Sequence, residues 1–181
     1  GDSTFFHSGI NSLLDVTYNG SKVITIILDN RTTGMTGHQQ NPGTGYTLQG
    51  KETIEASIEA LVKACGIENV VTVNPNDLEA VKRALDWAFD LEEPSVIITR
   101  WPCALKKLSE NDREEFGAAF SDKCMVDIEK CIGCKMCTNT GCPAISLDKQ
   151  NKKATINQDS CVGCGVCLQV CPAKAIGKVE A

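Results

Sequence analysis

The sequence predicts an α/β protein with a parallel sheet, followed by a small cysteine-rich α+β domain. Three observations lead to this prediction. Up to residue 108, short apolar runs alternate with stretches of helical periodicity. Most of the 11 cysteines lie in two runs of similar spacing near the C-terminus. The segments Val126–Cys131 and Ile156–Cys161 repeat one another at an interval of 30 residues, which indicates an internal duplication.

The N-terminal elements are predicted from their apolar pattern. A helix ended by Asn19-Gly20 has one apolar face, which consists of Ile10, Leu13, Leu14 and Thr17. The following run, residues 22–28, is apolar on both faces, which is typical of a buried parallel strand. Residues 31–50 contain six Gly or Pro and form a long loop. At the C-terminal end of a strand in an α/β sheet, such a loop is usually a binding loop.

Helices and strands then alternate in a βαβαβ order, which predicts a parallel sheet. Residues 70–73 and 95–99 are the further strands. The inward face of the first helix, which Gly66 ends, is expected to contain Ile54, Ile58, Leu61, Val62 and Cys65. The second helix, capped by Asn76 or Asp77, is expected to bury Leu78, Val81, Leu85, Ala88 and Phe89.

The two cysteine runs predict two iron–sulfur clusters. The second run, Cys161, Cys164, Cys167 and Cys171, matches the bacterial ferredoxin spacing C-x2-C-x2-C-x3-C-P at every position. The first run has one extra residue before its last cysteine; its members are Cys131, Cys134, Cys137 and Cys142. In this motif the fourth cysteine of each run binds the other cluster. We therefore expect one 4Fe-4S cluster on Cys131, Cys134, Cys137 and Cys171, and a second on Cys161, Cys164, Cys167 and Cys142.

Other uses of these cysteines fit the spacing less well. A tetrahedral zinc site has no role for a third closely spaced cysteine followed by Cys-Pro. A disulfide framework needs an oxidising compartment, but no signal segment is visible and the cysteine count is odd. The formal net charge of -5 argues against nucleic-acid binding, and no apolar run reaches membrane length. We expect a soluble, cytoplasmic protein with three parts: a domain at 1–108, a linker helix at 109–121 and a two-cluster ferredoxin domain at 122–181.

A second group of residues suggests a magnesium site. Mg²⁺ prefers oxygen ligands and usually retains substrate phosphates. Asp2, Asn30 at the end of a strand, and the carbonyl of Thr32 would supply three such oxygens. The alternative is that Asp2 and Asn30 are ordinary turn and cap residues.

The stretches 1–9 and 28–39 resemble the diphosphate-binding domain of thiamine-dependent 2-oxoacid:ferredoxin oxidoreductases. Within that superfamily the whole chain most resembles the alpha subunits of indolepyruvate ferredoxin oxidoreductases, which end in a two-cluster ferredoxin domain. The resemblance implies that Asp2, Asn30 and the Thr32 backbone hold Mg²⁺ and that a loop from Thr33 to Gln39 closes over thiamine diphosphate. The implied cofactor-binding residues are Gly1, Asp2, Ser3, Asn30, Thr32, Thr33, Gly34, Met35, Thr36 and Gly37. Ser3 departs from the more widespread Gly-Asp-Gly motif.

The resemblance also implies an activity. It is the oxidative decarboxylation of arylpyruvates such as indolepyruvate, with coenzyme A as acyl acceptor, electron transfer to an external ferredoxin and a smaller beta subunit as partner. The family's chain continues upstream of this Gly-Asp, so the sheet domain is expected to be incomplete. The glutamate that activates thiamine is expected in that upstream part. No catalytic residue is therefore assigned, and this fragment alone is expected to be inactive.

Three further hypotheses remain open. The chain could be an electron carrier with a non-catalytic docking domain, a non-redox thiamine decarboxylase with a structural cluster domain, or an oxidoreductase for another 2-oxoacid. His7 and His38 could donate to a substrate carboxylate or be ordinary loop residues. Cys65 and Cys103 are expected to be buried, and a place near the first cluster is left open for Cys124.

Overall fold

The computed structural model describes residues 1–117, 120 and 122–179. The chain divides into two compact units, Gly1–Asp112 and Arg113–Ala181. The first is built on a parallel sheet and the second on short antiparallel strand pairs. The α/β class predicted from the sequence is therefore confirmed.

The sheet of the first unit has three parallel strands in the order β1-β3-β2. They are β1 (Ile24–Asp29), β2 (Asn69–Val73) and β3 (Ser95–Arg100). The strand β3 is central, and its apolar residues are almost completely buried. The last residues of β1 and β3, Asp29 and Arg100, lie side by side in the register. The loops that follow these two strands therefore leave the sheet at the same edge.

Five α-helices are formed up to residue 116. They are α1 (Asp2–Thr4), α2 (Ile10–Tyr18), α3 (Ile58–Ala64), α4 (Leu78–Asp90) and α5 (Glu110–Phe116). A π-helical turn, Phe5–Gly9, makes α1 and α2 one continuous helical segment. Side-chain caps start two of the helices: Ser57 accepts a hydrogen bond from the Ala60 amide, and Asp77 accepts one from the Ala80 amide.

The two faces of the sheet are covered by different helices. One face packs with α2 and α3 in a core cluster that contains Phe5, Leu13, Ile27, Ile58, Val62, Cys65, Ile67, Val96 and Ile98. The other face packs with α4 through Ala84, Ala88 and Ile97. Side chains alternate across a strand, so the continuous apolar run of β3 is explained by burial on both faces.

Several apolar residues are more exposed than the sequence pattern predicts, among them Leu78 at the start of α4. In β1, Ile26 and Leu28 are exposed because α4 packs mainly against β2 and β3; on that face of β1, Ile24 packs against the α4 cluster. Ile54 is exposed and precedes α3, because the Ser57 cap starts the helix at Ile58. Phe89 is 67% exposed in the last turn of α4.

Leu14 is also exposed, whereas Leu13 is buried. Adjacent helix residues point in directions about 100° apart, so only one of the pair lies at the centre of the face that packs on the sheet.

The second unit has the symmetry expected of a duplicated domain. Its strands are β4 (Lys123–Val126), β5 (Ile145–Leu147), β6 (Ala154–Ile156) and β7 (Ile176–Val179). The first and last strands, β4 and β7, pair antiparallel, and so do β5 and β6. Each pair combines one strand from each half of the repeat. A short helix, α6 (Val166–Gln169), carries part of the second cysteine run.

The predicted linker contains α5 and the division between the two units. Of the predicted linker helix, residues 118, 119 and 121 lie outside the described residues, as do residues 180 and 181 of the predicted ferredoxin domain. The boundaries at 108 and 121 remain predictions. In the described part of the chain, no helix has the length and apolar character needed to cross a membrane.

Candidate functional site

The first cysteine cavity lies in the second unit and has about 350 Å³ of free space, including solvent at its opening. Its cysteines are Cys131, Cys134, Cys137 and Cys171. The remaining lining is mostly apolar; it includes Val126, Ile132, Leu147, Ala154, Ala175 and Ile176. These are the four ligands predicted for one cluster, three from the first run and the last from the second.

The second cavity has the same size and the reciprocal composition. Its free space, including solvent at its opening, is also about 350 Å³. The predicted ligands of the second cluster, Cys142, Cys161, Cys164 and Cys167, all line it. A fifth cysteine, Cys124, lines this cavity too. The sequence left a place near the first cluster open for Cys124; its strand β4 pairs with β7, and Cys124 instead contacts the second run.

Two glycines allow the ligand loops to pass close to other backbone segments. Gly133 and Gly163 are at equivalent positions of the repeat, and both have positive φ, 68° and 71°. A Cβ atom on Gly133 would lie 2.4 Å from the Lys152 carbonyl oxygen, and one on Gly163 would lie 2.5 Å from that of Asp122. No side chain fits at either distance. Glycine between the first two cysteines of each run is thus a steric requirement.

Hydrogen bonds and burial set the chemistry of the cysteine sulfurs. The Cys124 amide donates to Cys161 Sγ and the Ala175 amide to Cys171 Sγ, each at 3.3 Å. Burial raises the pKa of the Cys137 thiol, and it raises the pKa of Cys167 to about 12. A metal ligand must be a thiolate, so assembly of a cluster would release protons from these buried groups.

The four-cysteine cavities fit a cubane rather than a single metal ion. Among the described residues, no group of three or more Cys, His, Asp or Glu side chains is placed to hold one ion. The thiolates of a 4Fe-4S cluster bind different iron atoms, and four cysteines around an apolar cavity are the donor set that such a cluster uses.

The predicted diphosphate site lies at the C-terminal edge of the sheet in the first unit. The N-terminal motif contacts the loop after β1, because Thr33 Oγ1 donates to Ser3 Oγ at 3.0 Å. Asp2 is 3% exposed, and the Asn41 side chain donates to its Oδ2 at 2.9 Å. Burial raises the pKa of Asp2, and the bond from Asn41 opposes that shift.

The other two predicted magnesium ligands share one turn. Asn30 Oδ1 accepts a hydrogen bond of 3.2 Å from the Thr32 amide. Thr32 is almost completely buried. The turn fixes the Asn30 side chain relative to the carbonyl of Thr32. The oxygen donors present, a carboxylate, an amide and a carbonyl, suit a hard cation.

The predicted phosphate loop is closed at its two ends. The Thr33 amide donates to the Gln39 carbonyl at 3.0 Å, and the side chains of Thr36 and Gln39 are also hydrogen-bonded. Between these ends, Met35 is fully exposed. Gly34 lies next to the Asn30 side chain, and Gly37 has a φ of 110°. The segment is therefore a compact exposed loop beside the predicted magnesium ligands.

An arginine that the sequence analysis missed holds the backbone next to Asn30 in place. Arg31 has a φ of 58° and is 5% exposed. Its guanidinium group bonds Asp112 at 2.8 Å, Glu55 at 2.9 Å and the Gly43 carbonyl. Burial alone would lower the pKa of Arg31, but the hydrogen bonds to Glu55 and Asp112 raise it above its usual value. The only sequence signal was its position directly after Asn30.

A second ion pair joins the ends of β1 and β3, directly before Asn30. Arg100 Nε bonds Asp29 Oδ2 at 2.8 Å, and Arg100 also contacts Glu59 at 3.0 Å. The other carboxylate oxygen of Asp29 accepts from the Arg31 amide at 3.0 Å. Asp29 therefore fixes the backbone on both sides of Asn30.

The remaining sequence candidates have different surroundings. His7 Nδ1 bonds the Ser3 carbonyl at 2.7 Å, within its own helix. Cys65 is in the core, as predicted. Cys103 is partly exposed rather than buried, because it lies in the loop after β3 and its amide bonds the Asn30 carbonyl. Its Sγ is 3.6 Å from Nε2 of His38.

Comparison with known proteins agrees with both halves of this description. Residues 1–99 match the family "Thiamine pyrophosphate enzyme, C-terminal TPP binding domain", and residues 130–175 match a "4Fe-4S dicluster domain". Indolepyruvate oxidoreductase subunit IorA of Thermococcus kodakarensis is 43% identical over 97% of this chain. The subunits of the same name from Pyrococcus horikoshii and Archaeoglobus fulgidus are 42% and 41% identical over 99% and 97% of this chain.

The match covers a limited part of these relatives. The chain spans 27% of the length of each of the three. The eight predicted ligand cysteines lie within 130–175, and Asp2, Asn30 and Thr32 lie within 1–99, the regions that the two family profiles match. The chain therefore belongs to the thiamine pyrophosphate enzyme family, as a C-terminal TPP-binding domain followed by a 4Fe-4S dicluster domain.

Proposed function

We propose that this chain is the diphosphate-binding and electron-transfer region of a thiamine-dependent 2-oxoacid:ferredoxin oxidoreductase. The observation that carries the proposal is the presence of two sites on one chain. One unit has the predicted magnesium ligands Asp2, Asn30 and Thr32. The other has two cavities with four predicted ligand cysteines each. A thiamine enzyme that contains clusters can pass the electrons of its substrate onward one at a time.

The residues of the first unit would position the coenzyme. Asp2, Asn30 and the Thr32 carbonyl would hold Mg²⁺, which in turn binds the diphosphate, and residues 33–37 would close over it. When bound, thiamine diphosphate supplies the carbanion-stabilising chemistry at the keto carbon, while the protein supplies orientation and electrostatics. Arg31 and Arg100 would act indirectly, because they fix the backbone that carries Asn30.

The proposed reaction consumes a 2-oxoacid anion and coenzyme A and releases CO2, the acyl-coenzyme A and the proton of the coenzyme A thiol. Two electrons leave through the cysteine-bound clusters to two molecules of oxidised ferredoxin. The names of the relatives favour indolepyruvate, an arylpyruvate, as the substrate. The word "subunit" in the same names supports a partner chain. A smaller beta subunit and an external ferredoxin are the partners we propose.

The test uses the complete enzyme with its partner subunit. Asp2→Ala should weaken the binding of Mg²⁺ and thiamine diphosphate at least about tenfold, the scale of losses seen around metal ligands. Its iron content should not change, because the cysteine cavities are in the other unit. Asp15→Ala is the matched control, since Asp15 is exposed and bonds only its helix neighbour Asn19 among the described side chains.

Isothermal titration with thiamine diphosphate and Mg²⁺, together with ferredoxin reduction by indolepyruvate and coenzyme A, gives the readout. Unchanged coenzyme binding and turnover in both Asp2→Ala and Asn30→Ala would refute the thiamine assignment. A wild-type enzyme that carries both clusters but binds no thiamine diphosphate would instead be an electron carrier.

A further inference from the structure

The second cysteine cavity contains one thiol more than a 4Fe-4S cluster needs. Five cysteines line it, whereas four line the first cavity. Four of the five belong to the two cysteine runs. The fifth, Cys124, precedes both runs and lies on β4. It is 1% exposed, so its side chain is surrounded by protein atoms and not by solvent.

The internal repeat supplies the comparison for Cys124. It precedes Cys131 by the same number of residues as Ala154 precedes Cys161, and the two residues lie on the equivalent strands β4 and β6. Ala154 is also buried and lines the first cavity. The two cavities therefore have equivalent wall positions, which are occupied by a methyl group in one and by a thiol in the other.

Cys124 contacts predicted ligands of the second cluster through both its backbone and its side chain. Its amide donates to Cys161 Sγ at 3.3 Å. Its side chain lines the cavity together with Cys161, Cys164 and Cys167, and it belongs to the same buried cluster as Cys167. A cysteine that binds iron has lost its proton. In a hydrogen bond between the Cys124 thiol and a cluster-bound Cys167, Cys124 is therefore the donor.

Hydrogen bonds to ligand sulfurs change the reduction potential of a cluster. A donor stabilises negative charge on the sulfur, and the reduced cluster carries one more negative charge than the oxidised one. The bond is therefore stronger in the reduced state, and the potential rises. The methyl group of Ala154 cannot donate, so the first cluster lacks this side-chain contribution.

We propose that Cys124 raises the reduction potential of the second cluster relative to the first by donating a hydrogen bond from its thiol to the sulfur of Cys167. The inference rests on the two-cluster part of the proposed function. Its consequence is that this contact favours the second cluster over the first as the site of an electron in this unit.

The experiment is a redox titration of the complete protein under anaerobic conditions, followed by electron paramagnetic resonance. Cys124→Ala gives the second cavity the same residue type that the first cavity has at the equivalent position, Ala154. We expect the reduced-to-oxidised ratio of the second cluster to fall by up to about tenfold at a fixed applied potential. A tenfold change corresponds to about 59 mV for a one-electron couple. The other cluster and the iron content of about eight per chain should not change.

Two further variants assign the signals. Ala154→Cys places a thiol in the first cavity, and it should raise the potential of the cluster that Cys124→Ala leaves unaltered. Cys124→Ser keeps an O–H donor and should keep the potential of the second cluster above that of Cys124→Ala. This rescue separates hydrogen bonding from a simple change in packing.

Several outcomes would overturn the inference. Unchanged potentials in Cys124→Ala with full iron content would show that the thiol has no effect on the cluster. Equal shifts of both clusters would indicate a general structural change. Loss of about half the iron would make Cys124 a ligand instead. A wild-type protein with much less than eight iron per chain would refute the two-cluster assignment itself.

Discussion

Arg31 combines an unfavourable backbone conformation with a buried charge. Positive φ is uncommon for residues other than glycine and costs of the order of 1–3 kcal/mol when the surroundings impose it. Here the guanidinium group bonds Asp112 and Glu55, and the backbone carbonyl accepts from Lys106 at 2.9 Å. These contacts hold the residue directly after Asn30 in one conformation.

We predict that Arg31→Met lowers the free energy of unfolding by about 3–5 kcal/mol, the range for removal of one partner from a buried ion pair. The reason is that Asp112, 1% exposed, would lose its closest cation and keep only Lys106 at 3.8 Å. Urea denaturation followed by circular dichroism measures the change.

The control for Arg31→Met is Lys22→Met. Lys22 and Glu92 form an exposed ion pair at 3.1 Å. Exposed pairs contribute at most about 1 kcal/mol, so this variant should unfold close to the wild type. An Arg31→Met protein as stable as Lys22→Met would contradict the view that the network holds the loop.

At the scale of elements, the strand pairing in the second unit explains how each cavity is built. The pairing of β4 with β7 and of β5 with β6 joins opposite halves of the repeat. Cys171 thereby reaches the cavity of Cys131, Cys134 and Cys137, and Cys142 reaches the cavity of the second run. A cluster in either cavity would cross-link both halves.

We predict that Cys171→Ala perturbs the cluster of Cys131, Cys134 and Cys137 and leaves the other cluster's signal in place. The physical reason is the loss of one thiolate from the first cavity only. Electron paramagnetic resonance of the reduced protein, with iron analysis, gives the measurement.

Cys65→Ala is the matched control for Cys171→Ala. It removes a cysteine of the first unit and should leave both cluster signals unchanged. A change confined to the cluster of Cys161 in Cys171→Ala would mean that the fourth ligands do not cross between the runs.

The same elements show what could be predicted from the sequence. The spacing within each run and the exchange of the fourth cysteine predict both four-cysteine sets, and each set lines one cavity; their role as ligands stays a prediction. The parallel sheet followed from the alternating apolar runs, but its strand order β1-β3-β2 did not. Exposure of Ile26 and Leu28 could not be predicted, because it depends on which strands α4 covers. Local patterns contain no information about that choice.

Long-range polar contacts were also beyond the sequence. Arg31 and Asp112 are 81 residues apart in the chain, and nothing in the spacing pairs them. The position of Cys124 stayed open in the sequence for a related reason. It is close to Cys131 in sequence, but the pairing of β4 with β7 brings its side chain to the second cavity.

At the scale of the whole molecule, the two units differ in what stabilises them. The first has core clusters on both sides of a sheet that contain large aliphatic side chains such as Ile97 and Ile98. In the core cluster of the second unit, three of the six buried residues are cysteines, and two of these, Cys137 and Cys167, are predicted cluster ligands. Small domains with little apolar core usually need a metal or disulfides for stability.

We therefore predict that removal of the clusters unfolds the second unit and leaves the first folded. Without iron, Cys137 and Cys167 become protonated buried thiols around empty space, and the cross-links between the two halves of the repeat are lost. Hydrogen–deuterium exchange with mass spectrometry, before and after treatment with an iron chelator under oxidising conditions, measures the change by segment. The peptides that contain β4 and β7 should lose their protection, whereas those that contain β2 and β3 should retain it.

The same treatment of a protein with an Asp2→Ala substitution gives a control for the first unit, because this change affects only the predicted magnesium site. Its second unit should respond to the chelator as the wild type does. Retained protection of β4 and β7 after complete loss of iron would show that the small apolar core is sufficient by itself. Loss of protection in β3 as well would show that the sheet of the first unit depends on the clusters, in conflict with its own large core.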